Sequence, residues 1–358
     1  MIFLVSTSQR NFSIFHPTYI IHDFKMLDFP YISLLFIENV LNFIAIYYVL
    51  KCIYICVSIR TFHTNMTVIL IVFALQWFES VFAYFLAKPY EVGYWQLGDS
   101  LETIKQFVTD KPSEMVAIRE PDGTFLFFLA GFVKWHFAFS MCTVLLQLAV
   151  ERTFACYFID DYEMKPRKWV GILIVSTAQT FNFIVTLLVF FDFVDFPGAF
   201  AFVILPNAIS LVLFICTRNY NLRILIPENY TLAARFQAKE NIRCFQMISN
   251  VISAGILNIS FASVLVGLMC TEWFPSLDTV LNVMFQGMFS SLGPLVICPV
   301  MIYSVDAWRK FEFSKSALYS NLRRRTRKRA MVSTISVQSE VCRKETDAYF
   351  SQLNASWS

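Results

Sequence analysis

The sequence predicts an all-α, polytopic membrane protein whose seven helices form one bundle. Seven long apolar runs separated by polar loops support this prediction, because each run is about long enough to cross roughly 30 Å of hydrocarbon. Composition agrees: of the 358 residues, 57% are hydrophobic and 15% are charged, whereas soluble chains average about 25% charged residues. A soluble globular domain is therefore excluded.

The apolar runs follow one another with mostly polar connections. They span residues 31–59, 66–87, 125–150, 169–191, 197–217, 244–269 and 277–304. The first run is longer than a bilayer requires, so we expect it to tilt or to extend past the membrane. Only residues 192–196 separate the fourth and fifth runs, which predicts a tight turn with Pro197 at the start of the next helix.

The charges in the loops predict which side of the membrane each loop occupies. If the N-terminus lies outside, the outer segments hold six of the 29 Lys and Arg residues and the inner segments hold 21. Cytoplasmic segments carry the excess of basic residues in membrane proteins. The sequence therefore predicts the N-terminus outside and the C-terminus inside, and makes Asn11, in the sequon Asn-Phe-Ser, a glycosylation candidate.

Four regions follow from this topology. Residues 1–30 form an extracellular segment, 31–304 the helix domain, 305–322 an amphipathic helix beside the inner membrane surface, and 323–358 a cytoplasmic tail. The tail opens with RRRTRKR, from Arg323 to Arg329, which anionic inner-leaflet lipid attracts by about 1 kcal/mol per basic residue. Within the outer loop 88–123, Asp99 and Glu102 resemble a helix cap. A short helix and a solvated acidic loop remain alternatives there.

Three ionisable residues interrupt the apolar runs: Glu38, Glu79 and Lys134. A charged group at the membrane centre costs about 2.5–3.5 kcal/mol on the insertion scale, so each is expected to face the bundle and find a partner. Glu79 and Lys134 have similar depths on successive helices, so we predict that they pair, with Glu38 as the competing partner. The pair forms either the polar floor of a ligand pocket or a purely structural contact.

Other polar residues in the runs are candidates for lining the same pocket: His136, Asn207, Gln286, Trp77 and Asn282. Catalytic chemistry finds little support. The four histidines lack metal-binding spacing, and the sequence has no phosphate-binding glycine loop and no nucleophile elbow. The basic tail lacks the interleaved aromatic residues that stack on bases. We therefore expect no enzyme activity, no metal, no cofactor and no nucleic-acid partner.

The most specific segment lies at the inner end of the third run and reads ERTFACYFIDDYEMKPRKWVG, beginning at Glu151. Glu151 and Arg152 can form a local ion pair at the membrane boundary. A partner that offers Arg152 a better acceptor can break that pair, which is the behaviour of a two-state switch. A Glu-Arg dipeptide at a helix end also serves simply as an interface anchor.

This segment resembles the nematode class epsilon serpentine receptors (Sre), a family of seven-helix chemoreceptors. The similarity extends over nearly the whole chain, including the long first outer loop, IYSVDAWRKF after the seventh run, and NLRRR. It implies a G-protein-coupled receptor (GPCR) fold, detection of external chemicals, and a place in the plasma membrane or cilium of a sensory neuron. By that likeness, Glu151 and Arg152 correspond to the acid–Arg switch of rhodopsin-like receptors, and Tyr162, Lys165 and Arg167 belong to a loop that contacts the G protein.

The chain departs from the rhodopsin-like pattern in three places. Pro299 and Tyr303 are one residue too far apart for the usual Asn-Pro-x-x-Tyr, and Cys298 stands where Asn would be. The sixth run has no proline. The third run lacks the outer cysteine of the usual disulfide. These differences concern the conserved switches of that class and leave the seven-helix topology intact.

We predict a chemosensory receptor that binds a small extracellular molecule among the outer ends of the third to seventh helices and signals to a heterotrimeric G protein. The alternative is an ion channel or transporter with Glu38, Glu79 and Lys134 on its path. An odd number of spans without an internal repeat weighs against the paired repeats of many transporters. An intramembrane enzyme is disfavoured by the missing nucleophile and metal sets.

Overall fold

The computed structural model describes residues 2–6, 11–21, 29, 31–59, 61–95, 97, 104–105, 115–118, 123–159, 162, 167–225, 232–270 and 277–315. Within these residues, seven helical spans are long and apolar enough to cross a membrane, which confirms the predicted seven-helix fold. The chain divides into two compact units, Met1–Val305 and Asp306–Ser358. The first unit holds the helix bundle.

The helices follow the order that the apolar runs predict. The first six spans are α1 (Tyr31–Ser58), α2 (Thr64–Glu91), α3 (Phe125–Tyr157), α4 (Lys168–Phe190), α5 (Phe196–Leu225) and α6 (Leu232–Cys270). The seventh span consists of α7 (Asp278–Gly287), a π-helical turn (Met288–Leu292) and α8 (Gly293–Ser304). The second unit opens with α9 (Asp306–Lys315). The predicted amphipathic helix is thus described only to Lys315, and the basic run beyond it lies outside the described residues.

Within the described ranges, five short strands accompany the helices, and the sequence did not predict them. They are β1 (Ile2–Ser6), β2 (Asn11–Phe15), β3 (Ile20–Ile21), β4 (Ile104–Lys105) and β5 (Val116–Ile118). In one sheet, β1 pairs antiparallel with β2 and parallel with β5. In the other, β3 pairs antiparallel with β4. Residues 104 and 105 are therefore extended, which is at odds with the short helix considered for this loop, while Asp99 and Glu102 lie outside the described residues.

The strands pack on one end of the bundle, which we call the strand end. Apolar side chains from β1, β2 and β5 meet the ends of α2, α3 and α4 there, and this cluster includes Phe3, Ile118, Tyr90, Phe127 and Phe190. Burial of each such side chain stabilises the folded state by about 1.5–3 kcal/mol of transfer free energy. The N-terminal segment is thus part of the folded core.

At the opposite end, which we call the Arg152 end, three helices extend well past the predicted boundaries. α3 continues from residue 150 to Tyr157, α5 continues from residue 217 to Leu225, and α6 begins at Leu232 rather than at residue 244. These extensions carry polar residues that bond to one another between helices, as the site geometry shows below.

Small side chains allow α2 and α3 to approach closely, and these two helices make the most extensive pairing in the bundle. Ala83 and Ala87 of α2 meet Ala130 of α3, the kind of contact that favours packing in membranes. Between α4 and α5, the predicted tight turn is present, with Asp192 at φ +57°. Asp tolerates this left-handed conformation better than most residues. The Asp195 carboxylate accepts a hydrogen bond from the Gly198 amide at 3.0 Å.

Candidate functional site

The predicted switch residues Glu151 and Arg152 are fully buried at the Arg152 end of α3, each with a side-chain exposure of 0%. They pair with each other, and Arg152 Nη2 donates to Glu151 Oε1 at 2.7 Å. The Tyr162 hydroxyl donates to the same Glu151 oxygen at 2.7 Å. A buried ion pair is stabilising only when further hydrogen bonds satisfy its remaining atoms, so the surroundings of Arg152 decide what the pair can do.

The remaining donors of Arg152 reach α6, which the sequence had not identified. Arg152 Nη1 donates to Asn241 Oδ1 at 2.8 Å and lies 3.5 Å from the sulfur of Cys244. Asn241 Nδ2 in turn donates to Asn221 Oδ1 of α5 at 2.9 Å. One network therefore joins α3, α5 and α6, and we call Glu151, Arg152, Asn221 and Asn241 the switch network. Its asparagines lie beyond the apolar runs, so hydropathy alone could not reveal them.

The loop after α3 is attached to the same network. Asn65, in the first turn of α2, donates to the Tyr162 hydroxyl at 3.0 Å and to the Arg167 carbonyl at 3.1 Å. Burial, and secondly the Glu151 carboxylate, raises the pKa of Tyr162, so the phenol stays protonated and remains a donor. The Arg167 guanidinium lies 4.1 Å from the ring of Phe158. Lys165, the other predicted coupling residue, lies outside the described residues.

A cavity of about 460 Å³ lies towards the strand end. Its walls come from α2, α3, α5, α6, α7 and the π-helical turn, and residues 15–19 between β2 and β3 cover it. Most of the lining is aromatic or aliphatic. On the helices, the polar groups that line it belong to Ser80, Tyr84, Lys134, Trp135, Ser263, Gln286 and Ser290. This combination of apolar walls and a few polar groups is typical of a small-molecule site.

The predicted Glu79–Lys134 pair is wrong. Lys134 Nζ instead lies 2.8 Å from Glu91 Oε1 and 3.4 Å from Gln286 Oε1. Glu91 also accepts a hydrogen bond from the Thr18 hydroxyl at 3.2 Å. From hydropathy, the second run is predicted to end at residue 87, which places Glu91 in the outer loop. In the structure, α2 continues one turn further and includes Glu91. A lysine side chain is long enough to reach along the helix towards that end.

The other two acidic residues within the apolar runs, Glu38 and Glu79, have their own partners. Glu38 of α1 pairs with Lys88 of α2 at 2.7 Å, so it does not compete for Lys134 as predicted. Glu79 Oε2 lies 2.7 Å from His136 Nδ1, in a groove of about 440 Å³ that shares no lining residue with the cavity. Each of the three residues of the proposed ion path thus pairs with a different partner, and no contact among the three supports the channel alternative in the described part of the chain.

The remaining pocket candidates also differ in position. Gln286 lines the cavity as predicted, whereas His136 and Asn207 are not among its lining residues. Asn207 Nδ2 donates to the carbonyl of Cys142 at 3.2 Å, an α5–α3 contact.

Asn11, the glycosylation candidate, is the first residue of β2. Trp77 packs against Gly293, where an added Cβ would lie 2.5 Å from the indole ring.

His16 is a cavity residue that the sequence gave no signal for. Its ring stacks on Phe127 at 3.9 Å between centroids, and its Nε2 donates to the Phe127 carbonyl at 2.9 Å. Burial, and secondly the charge of Lys134, lowers the pKa of His16 well below its ordinary value of 6.5, so the ring is neutral near pH 7.

Two further hydrogen bonds attach residues 15–19 to the helices. Trp135 Nε1 donates to the Phe15 carbonyl at 2.9 Å, and the Tyr19 hydroxyl donates to the Met269 carbonyl at 3.3 Å.

A metal centre is not apparent in the part of the chain that the structure describes. No group of three or more His, Cys, Asp or Glu side chains is placed there to hold an ion. The π-helical turn contributes Phe289 and Ser290 to the cavity, and such turns often occur at functional sites. Binding of an organic molecule is the chemistry that this cavity can support.

Comparison with known proteins agrees with the resemblance seen in the sequence. The model of the family described as "Sre G protein-coupled chemoreceptor" matches residues 1–358. The chain is 39% identical to serpentine receptor class epsilon-45 of Caenorhabditis elegans, with full coverage of both chains. It is 27% identical to class epsilon-38 of the same organism, over 99% of this chain and 100% of that one. The chain therefore belongs to the Sre family of G protein-coupled chemoreceptors.

Proposed function

We propose that this protein detects a small molecule in its cavity and signals to a heterotrimeric G protein. One observation carries the proposal: a single helix, α3, places Lys134 in the cavity wall and Arg152 in the switch network at the other end. A ligand that binds one arrangement of α3 better than another shifts the population of that arrangement. The shift reaches Arg152 because both residues belong to one continuous helix.

The cavity favours a mostly apolar ligand with a hydrogen-bond acceptor. An ammonium group has three donor hydrogens, and Lys134 has two partners among the described residues, Glu91 and Gln286. The third donor is available for a carbonyl, ether or hydroxyl oxygen of a ligand. A carboxylate ligand would compete with Glu91 for the same lysine. Phe200 and Ile259 of the cavity wall are largely exposed on the outside of the bundle, so the ligand also tolerates contact with hydrocarbon.

G-protein coupling is assigned to the Arg152 end. With the N-terminus outside, as the loop charges predict, this end faces the cytoplasm. The extended ends of α3, α5 and α6 and the loop with Tyr162, Lys165 and Arg167 would form the contact surface. We propose that the active state releases Arg152 from Asn241, because that bond joins α3 to α6. Separation of two helices held by few bonds is a two-state element of the required kind.

The proposed location is the plasma membrane of a sensory neuron, including its cilium. The seven apolar helices make the protein a multi-pass membrane protein. The basic run from Arg323 to Arg329 would bind anionic lipid of the inner leaflet. Both assignments follow from the family and the sequence rather than from side-chain contacts.

The test is a calcium assay in cells that express the receptor together with a promiscuous G protein, screened against an odorant panel. At matched surface expression, a Lys134→Met variant is expected to raise the half-maximal concentration of any active odorant about tenfold or more, since a bond to a charged group is worth about 1.5–3 kcal/mol. Lys51→Met, in α1 and outside the cavity, is the matched control. Equal responses from both variants would remove Lys134 from the ligand site.

Coupling is tested separately with Arg152→Ala at matched surface expression. Loss of the calcium response with retained odorant binding is expected. An unchanged response would show that Arg152 plays no part in signalling.

A further inference from the structure

The pair of Glu79 and His136 occupies a groove on the outside of the bundle, between α2, α3 and α4. Four phenylalanines form most of its walls: Phe78, Phe82, Phe132 and Phe183. Phe82 and Phe183 are about half exposed, so the groove faces the surroundings of the bundle. Its volume, about 440 Å³, falls within the range of about 300–1,000 Å³ that is typical of small-molecule sites.

Glu79 lies near the middle of α2, which is long and apolar enough to span a membrane, so we place the groove at the depth of the hydrocarbon. Glu79 is about 18 Å along α2 from Glu91 at the strand end, at 1.5 Å per residue. Even so, its side chain is 33% exposed and that of His136 is 18% exposed. Ionisable groups at this depth almost always face the bundle interior or a partner. A polar pair that is this exposed leaves polar atoms that a bound molecule can satisfy.

The pair leaves two polar atoms directed at an occupant. The bond between them uses Glu79 Oε2 and His136 Nδ1. Glu79 Oε1 and His136 Nε2 take part in no other hydrogen bond among the described residues. Oε1 is an acceptor, and Nε2 is a donor or an acceptor according to the tautomer. A hydroxyl group has one hydrogen and also accepts, so it satisfies both atoms in the states in which Nε2 carries a hydrogen: it accepts from Nε2 and donates to Glu79 Oε1.

Other head groups fit less well. A carboxylate or phosphate would be repelled by Glu79, and phospholipid head groups lie at the membrane surface rather than at this depth. An ammonium group would have to be brought into hydrocarbon as a charge. A neutral hydroxyl avoids both difficulties, and the four phenylalanines provide contacts for an apolar body.

We propose that this groove is a binding site for a membrane-dissolved alcohol, an amphiphile with an apolar body and one hydroxyl group. The hydroxyl donates to Glu79 Oε1 and accepts from His136 Nε2–H, and the body lies against Phe82 and Phe183. The molecule reaches the groove from the bilayer. The site is distinct from the cavity that we assign to the odorant, and it does not depend on the receptor's ability to signal.

The test uses the full-length protein in lipid nanodiscs and a long-chain alcohol that carries a photoreactive diazirine in its chain. After illumination, mass spectrometry locates the label. We expect it to concentrate on the α2 and α4 peptides that contain Phe82 and Phe183. The methyl ether of the same chain, which cannot donate, should label these peptides roughly tenfold less. Uniform labelling of all lipid-facing helices would overturn the proposal. Equal labelling by the alcohol and the ether would do the same.

Two variants link the labelling to the polar pair. Glu79→Leu and His136→Leu place apolar side chains where hydrocarbon accepts them, so both are expected to fold and to lose the groove label. Lys51→Met, in α1 and outside both the groove and the cavity, is the matched control and should keep the label. Retention of the label in Glu79→Leu would overturn the proposal. So would efficient crosslinking of two receptor copies through Phe82→Cys, because the groove would then be an interface.

Discussion

At the scale of single residues, Asn241 has the most consequential position in the switch network. It accepts from Arg152 of α3 at 2.8 Å and donates to Asn221 of α5 at 2.9 Å, and it is itself fully buried. A buried polar atom that loses its partner keeps the full penalty of its desolvation. Both neighbours of Asn241 therefore depend on it.

We expect Asn241→Leu to lower the free energy of unfolding by about 1–3 kcal/mol. The substitution leaves an Arg152 donor and the side-chain oxygen of Asn221, Oδ1, without their partner. Thermal unfolding of the detergent-solubilised protein measures this. Asn250→Leu is the control: Asn250 lies on the same helix, is exposed and, among the residues described, bonds to Ser304. If the two variants unfold at the same temperature, the network contributes nothing to stability.

His16 should make stability depend on pH. Its pKa in the folded protein is well below 6.5, so below about pH 6.5 the unfolded chain binds a proton that the folded chain does not. The free energy of unfolding then falls as the pH drops, by up to about 1.4 kcal/mol per pH unit. Above pH 6.5 neither state is protonated, and this contribution disappears.

The measurement is thermal unfolding between pH 7.5 and 5, for the native protein and for His16→Gln. Gln keeps a donor for the Phe127 carbonyl but does not titrate. The variant is expected to lose part of the stability decrease at low pH, and the difference between the two curves isolates His16 from the other histidines. Parallel curves would contradict the neutral, buried state of this ring.

At the scale of elements, α2 and α3 are joined at the strand end by the Lys134–Glu91 pair. The structure thus replaces the pair predicted from the sequence with another on the same two helices. Exchange of the correct partners should be tolerated better than the loss of one, because an isolated buried charge is strongly destabilising, by about 3–5 kcal/mol.

We expect Lys134→Glu alone to reduce surface expression strongly and the double variant Glu91→Lys with Lys134→Glu to recover part of it. The double variant Glu79→Lys with Lys134→Glu should recover nothing, since Glu79 lies against His136 instead. Flow cytometry of an N-terminally tagged receptor gives the readout. If the Glu79/Lys134 exchange recovers surface expression and the Glu91/Lys134 exchange does not, the pairing of Glu79 with Lys134 predicted from the sequence is correct after all.

The elements also show what the sequence could and could not predict. Hydropathy located all seven spans, because crossing hydrocarbon requires long apolar helices whatever their partners. It could not find Asn221 or Asn241, since these residues lie on helical extensions that are stabilised by contacts between helices. It could not place Glu91, one turn beyond an apolar run. The direction in which Glu79 points depends on helix rotation, which three-dimensional packing decides.

At the scale of the whole molecule, the two proposed ends of the receptor are linked by topology. The strands and the cavity lie at one end, and the switch network lies at the other. If the strand end faces the outside, the cavity is reached from the exterior and Arg152 faces the G protein. The reverse orientation would invert both assignments at once, so a single test of orientation bears on the whole mechanism.

We expect an epitope tag at the N-terminus to be accessible to antibody on intact cells and a tag at the C-terminus to be accessible only after permeabilisation, because 21 of the 29 basic residues would then face the cytoplasm. Removal of N-glycans should also increase the gel mobility of the native protein. Asn11→Gln is expected to abolish that change, whereas Asn354→Gln, in a tail sequon, should leave it intact. Exposure of both tags on intact cells would contradict an odd number of crossings and, with it, the assignment of ligand and G protein to opposite sides.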